Sequence, residues 1–364
     1  MLEKRTINLI IILGVAIVVI LAITLGLVFG LRNNDDEGNT DDVEIVNSYD
    51  NTEELMKKYP LENNITVQEG LEKRIQNRLL TGFENWNRGY KAWKKWGNIL
   101  YTNASIYNVN GARLTLAQYQ EAMDASLKQT KIILGKFHNM IICGNFTAIF
   151  YDDAHVVGDR IINGTVMEFV SFKEYGSDLG TRVVVGWGGT KGSSFDRMRS
   201  YQGDHERMIQ DELIHLLMNY QVPTTGTLRE RYPILYPTEY LDNDKAEIFI
   251  GIILQGFDNW NSGIDSYISW IDEGYTEDAV SYGLEGEERN MKTYKDAMKA
   301  LVENKNIKKL YADNILVRDN WAAIHYRYRI EYFQTNEKEV GDRMQFLKFR
   351  EEGTSYKIEA SWIK

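Results

Sequence analysis

Asp153 and His155 are the residues whose types and spacing best fit acid/base chemistry in this chain. They stand two apart in Phe150-Tyr151-Asp152-Asp153-Ala154-His155, and on a strand that spacing puts both side chains on one face. A carboxylate in an apolar site disfavours its charged form and so becomes a proton carrier at a useful pH. Two arrangements stay open. The pair faces inward with Tyr151 and works as general base and acid, or it lies solvated at the strand end before Gly158. One missed bulge reverses the facing of every side chain.

Other constellations carry less. Glu212-Leu213-Ile214-His215 has the Glu-x-x-His spacing of di-metal bundles, which need two such pairs and two further Glu. A single pair reads as an exposed acid beside an exposed His, so no metal and no other cofactor is expected. Gly186-Trp187-Gly188-Gly189-Thr190-Lys191-Gly192-Ser193 lacks the order of a phosphate loop and is expected to be a flexible exit from a sheet. Aromatic residues are the remaining signal, with 8 Trp and 22 Tyr. Tyr119, Tyr151, Trp187, Tyr294, Tyr326, Tyr328 and Trp362 are expected to offer ring surface to a planar or cyclic ligand. Core packing is the other reason for rings at such positions.

The elements that must position these residues occur twice. Gly82-Phe83-Glu84-Asn85-Trp86-Asn87-Arg88-Gly89 returns as Gly256-Phe257-Asp258-Asn259-Trp260-Asn261-Ser262-Gly263. Trp96 then matches Trp270, Tyr119 matches Tyr294, and Phe146–Tyr151 matches Trp321–Tyr326. A period of this length marks a duplicated folding unit rather than a solenoid turn. The copies disagree at the acid/base pair, where Tyr328 and Ile330 replace Asp153 and His155, so at most one copy uses it. In the second copy Ile324, Tyr326, Tyr328 and Ile330 alternate with His325, Arg327, Arg329 and Glu331. That predicts an antiparallel sheet with one apolar face under helices and one charged face, an α+β unit.

Residues 7–31 carry no charged side chain, which is long enough for a membrane-crossing helix and a poor match to a cleaved signal. Lys4 and Arg5 before it, against Arg32 after it, predict residues 1–6 inside and the bulk of the chain outside the cytoplasm. Residues 32–65 are expected to form an acidic, flexible stalk with one short helix near Glu53–Lys58. The first copy is expected over 66–189, a helical linker over 190–246 and the second copy over 247–364. The lone Cys143 excludes an internal disulfide framework. A net charge of −10 argues against nucleic acid as a partner.

Asn259-Trp260-Asn261-x-Gly263, Tyr275-Thr276-Glu277-Asp278-Ala279, Gly283-x-x-Gly286 and Met291-x-x-Tyr294-x-x-Ala297-Met298, with the trailing strands, resemble the SnoaL-like branch of the NTF2-like superfamily. The resemblance covers nearly all of residues 247–364 and, more loosely, 70–189. It implies two cones, each a curved sheet wrapped on helices with a pocket at its open end. In the family's enzymes a carboxylate or His–carboxylate pair in that pocket moves protons. For an enzyme of this kind the chemistry would be isomerisation or cyclisation beside a carbonyl, with Asp153 as base. Many members have no chemistry. A small-molecule ligand and an envelope protein partner therefore remain alternative expectations. Such domains pair through the outer face of the sheet, and the two copies here could pair with each other as an internal pseudo-dimer.

Overall fold

A computed structural model of the chain describes residues 43–48, 50–63, 65–100, 106–109, 112–127, 131–175, 178–185, 214–284 and 286–364. The expected membrane segment 7–31 and Trp187 lie outside these. Among the described residues, no helix is long and apolar enough to cross a membrane.

The fold is α+β and repeats one order of elements. The first half holds α1 (Thr52–Lys58), α2 (Leu71–Arg88), α3 (Tyr90–Leu100), β1 (Ile106–Val109), β2 (Ala112–Thr115), α4 (Leu116–Ser126), β3 (Lys131–Cys143), β4 (Phe146–Val157), β5 (Arg160–Tyr175) and β6 (Asp178–Val185). The second holds α5 (Leu228–Arg231), α6 (Asn243–Ser262), α7 (Ile264–Gly274), β7 (Tyr275–Tyr282), β8 (Glu288–Asn290), α8 (Met291–Leu301), β9 (Lys305–Arg318), β10 (Trp321–Tyr332), β11 (Lys338–Glu352) and β12 (Ser355–Ile363). Each half forms one six-stranded sheet, in the orders β2-β1-β6-β5-β4-β3 and β8-β7-β12-β11-β10-β9. The pairs β1–β6 and β7–β12 are parallel and the rest antiparallel.

The duplicated motif locks the long helix to its sheet. Ile75, Leu79, Leu80, Phe83 and Trp86 fall on the buried side of α2 at helical spacing. Gly82 is needed because a Cβ there would stand 2.9 Å from the Trp96 ring, and a Cβ on Gly256 would stand 2.7 Å from Trp270. The Trp86 indole N–H donates to the Ile132 carbonyl at 3.0 Å, and that of Trp260 to Ile307 at 2.6 Å. Asn87 pairs with both backbone groups of Leu134, as Asn261 does with Lys309. The helices then end at Gly89 (φ 134°) and Gly263 (φ 126°), where a side chain would be strained. Gly256→Ala should cost about 1–3 kcal/mol through overpacking against Trp270, measured as a fall in urea midpoint at unchanged slope.

The expected stalk is corrected in part. Residues 43–48 and 50–63 pack on the first half rather than hanging free, because they supply partners that α2 otherwise lacks. Asn85 bonds both backbone groups of Val46, and α1 ends in Lys58-Tyr59, both bonded to Glu84. Arg231-Tyr232 makes the same contacts with Asp258 at the end of α5. Leu61 then bridges Phe137 as Ile234 bridges Ala312. The repeated unit thus begins before the motif, and residues 227–234, expected within the linker, belong to the second copy.

The charged face of β10 is also covered rather than solvated. His325 is buried between Asp342 (2.8 Å) and Asp313 (3.1 Å). Arg329 donates to the carbonyls of Met218 and Tyr220 behind the helical residues 214–219. Opposite charges and carbonyls satisfy these groups inside, which alternation alone cannot foresee.

The outer faces of the two sheets lie on one another. Phe150 meets Phe346 and Trp362, Phe169 meets His325, and Ile141, Met167, Leu316 and Ala323 fill the layer between. Arg318 crosses this layer to Glu72 at 2.6 Å with both side chains almost fully buried.

Candidate functional site

The inner face of the first sheet and the helices above it line a partly open cavity of about 80 Å³. Ring and aliphatic walls come from Phe83, Trp86, Trp93, Trp96, Tyr119 and Tyr151, with Leu134, Ile149, Val170 and Phe172. The ionisable groups on the described wall, besides the two tyrosines, are Arg78 and Glu168.

Strand parity explains the polar pair. Thr147, Ile149 and Tyr151 alternate inward on β4 while Ala148 and Phe150 face the other sheet. Glu168 lies opposite Ile149, and Val166 opposite Tyr151, so Glu168 comes inward between Met167 and Phe169, which face out. The Tyr151 hydroxyl donates to Glu168 Oε1 at 2.6 Å. Burial, and then the Glu168 charge, push the Tyr151 phenol well above its usual pKa, so it stays a donor throughout the physiological range. Arg78, from α2, donates through Nη1 to Asn47.

The expected acid/base pair is real as a pair but stands away from this cavity. Asp153 is buried and its Oδ2 lies 2.7 Å from His155 Nε2, while the His155 side chain is 36% exposed. Asp153 continues the inward register of Tyr151 but sits two residues further along, over Gly164, where a Cβ would come within 2.5 Å of its Oδ1. Neither residue lines the cavity. The acid on the cavity wall is Glu168, which motif spacing missed; an acid between two large apolar residues on a strand that matches Met344-Gln345-Phe346 was the available signal.

Of the expected ring surface, Tyr119 and Tyr151 line the cavity. Trp362 does not: it stacks between Tyr282 and Trp321 in the layer between the sheets. Its strand turns that face outward, so the correction follows from register. Tyr294, Tyr326 and Tyr328 are buried in the second core. There the Tyr294 hydroxyl meets that of Tyr267 at 3.0 Å, and Arg343 covers the Tyr328 ring at 4.9 Å.

The counterpart of the cavity in the second half is occupied from within. Lys309 takes the place of Leu134, as the shared asparagine bonds show. The residue keeps partial exposure, but its amine lies 4.7 Å from the Phe257 ring centre, 5.4 Å from Tyr326, 5.5 Å from Trp260 and 5.6 Å from Tyr267. Burial pushes this amine down to about 7.

No protein-family model matches the chain, and no curated protein matches it. Solved structures similar to it include NTF2-like and SnoaL-like proteins, each over about a third of its length. AclR, a putative hydroxylase from Streptomyces galilaeus, is 16% identical over 33% of this chain and 74% of its own, with a TM-score of 0.28. A ketosteroid isomerase-like protein from Erwinia carotovora atroseptica is 12% identical over 34% and 96%, with a TM-score of 0.28. A putative SnoaL-like polyketide cyclase from Jannaschia sp. is 11% identical over 32% and 83%, also at 0.28. Likeness at this level says nothing of chemistry.

Proposed function

We propose that this is a small-molecule-binding protein of two SnoaL-like cone domains, in which the first domain holds the ligand and the second is a filled support. Residues 7–31 would tether it by a single pass, N-terminus inside, with both domains outside the cytoplasm. The observation that carries the reading is the ring-walled cavity with Glu168 and Tyr151 at its wall, set against the same space filled by Lys309 in the other half. The packing of the two outer faces supports an internal pseudo-dimer.

About 80 Å³ is small beside the few hundred Å³ of a drug-sized site, so the ligand, or the part enclosed, is a handful of heavy atoms. Its apolar portion meets the rings, and its single polar group meets Glu168. Should the ligand be turned over, Glu168 with Tyr151 is the proton-transferring pair within reach, rather than Asp153 with His155.

The test is native mass spectrometry of the full chain released gently from its own membranes, with two variants. Wild type and Asp153→Asn should retain a co-purified small molecule, whereas Glu168→Gln should bind it about tenfold more weakly, the worth of one charge-assisted hydrogen bond. For an identified substrate, Glu168→Gln should lower turnover by about 10²–10⁴. Loss with Asp153→Asn and retention with Glu168→Gln would move the site to the strand end. A second reading, an envelope assembly component, is favoured by the filled interior of the second half. A clean apo mass with a protein neighbour captured by crosslinking would support it.

A further inference from the structure

Four ring positions recur in both halves around one point. Phe83, Trp86, Trp93 and Tyr151 in the first correspond to Phe257, Trp260, Tyr267 and Tyr326 in the second. The contacts between them recur as well. Phe83 meets Tyr151 at 4.7 Å and Phe257 meets Tyr326 at 5.0 Å; Trp86 meets Trp93 at 5.2 Å and Trp260 meets Tyr267 at 4.7 Å. In the second half an amine, that of Lys309, occupies the point they surround. In the first half Leu134 stands at that strand position, too short and uncharged to fill the space, and the cavity remains. The wall also differs on β5 and β11, where Glu168 faces the first interior at the position that Gln345 holds in the second.

We infer that the cavity of the first half binds a small organic cation, an alkylammonium group of a few carbons. The inference rests on the ligand-binding reading above and names the class of ligand. Ring faces carry a negative quadrupole and attract a cation most strongly where water is excluded. The chain's own second half shows that such a cage accepts an amine, which burial there, with Gln345 in place of a carboxylate, pushes down to about 7. Glu168 adds a carboxylate to the wall, which a neutral ligand would not need and an anion would oppose. Arg78 is the opposing charge on the wall; its Nη1 is engaged with Asn47. Size agrees: a dry cavity of about 150 Å³ accepts benzene, so about 80 Å³ accepts something smaller than a ring. A free small amine and the ammonium end of a longer metabolite share this chemistry. A plateau in affinity as the alkyl chain lengthens beyond the cavity would distinguish the second from the first.

The experiment uses the full chain in a non-ionic detergent at pH 6.5, titrated with propylammonium, 1-propanol and propionate. These three are similar in size and carry positive, neutral and negative ends. Tryptophan fluorescence reports on the cavity, since Trp86, Trp93 and Trp96 line it. Propylammonium should bind with a Kd on the order of 1 mM, about tenfold more tightly than 1-propanol, and propionate should not compete. Glu168→Gln should weaken it about tenfold, and Leu134→Lys, which imitates the second half, should abolish it. Equal or tighter binding of 1-propanol or propionate would overturn the cation inference and leave the ligand-binding reading standing. A failure of all three to bind would also overturn it, while the co-purified mass decides that reading separately.

Discussion

Glu72→Ala should destabilise the protein by about 3–5 kcal/mol, the usual cost of leaving a buried charge unpaired. The Glu72 carboxylate accepts from Arg318 Nη2 at 2.6 Å, Gly144 N at 3.0 Å and Gln68 N at 2.8 Å. It is buried, and Arg318 is 1% exposed, so neither group can turn to water when the other is removed. Arg318 keeps a bond to the Ile142 carbonyl, which does not neutralise it. The pair ties α2 and the β3–β4 turn of the first half to the end of β9 in the second. The loss should therefore also separate the unfolding of the two halves, so that one urea transition becomes two. The double variant Glu72→Leu/Arg318→Met should recover most of the stability, because an apolar pair of similar volume carries no desolvation cost. A cost for Glu72→Ala below about 1 kcal/mol would mean that water reaches the layer between the sheets, and the pairing of the halves would have to be reconsidered.

The second large effect is a pH dependence that Lys309 should impose. Its amine is held down to about 7 by burial, whereas in the unfolded chain a lysine titrates near 10.4. Between those values the unfolded chain binds the proton and the folded protein does not. Stability therefore rises as pH climbs from about 7 towards 10, and is lost again as pH falls through 7, by at most about 1.4 kcal/mol per pH unit. Buried tyrosines act oppositely above pH 10. Burial raises the phenols of Tyr267, Tyr275 and Tyr294, so unfolding there releases protons and stability falls. Urea midpoints at pH 7, 8 and 9 thus isolate the lysine. Lys309→Met, which keeps the length without the charge, should flatten the rise and leave the protein at least as stable at pH 7. A rise that persists unchanged in the variant would place its source elsewhere and remove the amine from the ring cage.

The same lysine shows how the halves divide their roles. Both build the cage from equivalent positions, because the helix motif requires it: glycine admits the facing Trp, phenylalanine enters the core, and indole and asparagine clamp the strand. What stands opposite that cage is one residue of an edge strand, Leu134 or Lys309. A single position therefore separates an open interior from a filled one.

Much of this was legible in the residues. Local chemistry dictated the duplicated motif, the ends of the long helices, the order of helices before sheet and the apolar face of β10, because these depend on spacing along one element. The facing of Glu168, the exclusion of Asp153 from the cavity and the exchange of Leu134 for Lys309 depend instead on register. Bulges between Leu134 and Phe137 and between His325 and Phe-facing Tyr326 shift that register without any mark in composition. Trp362 and the buried His325 were decided at a further remove, since each lies on a face that reads as outer until the second sheet covers it. Periodicity reports which side of a strand a residue takes. Only the packed pair of sheets decides which side meets water, which meets its own repeat and which encloses the cavity.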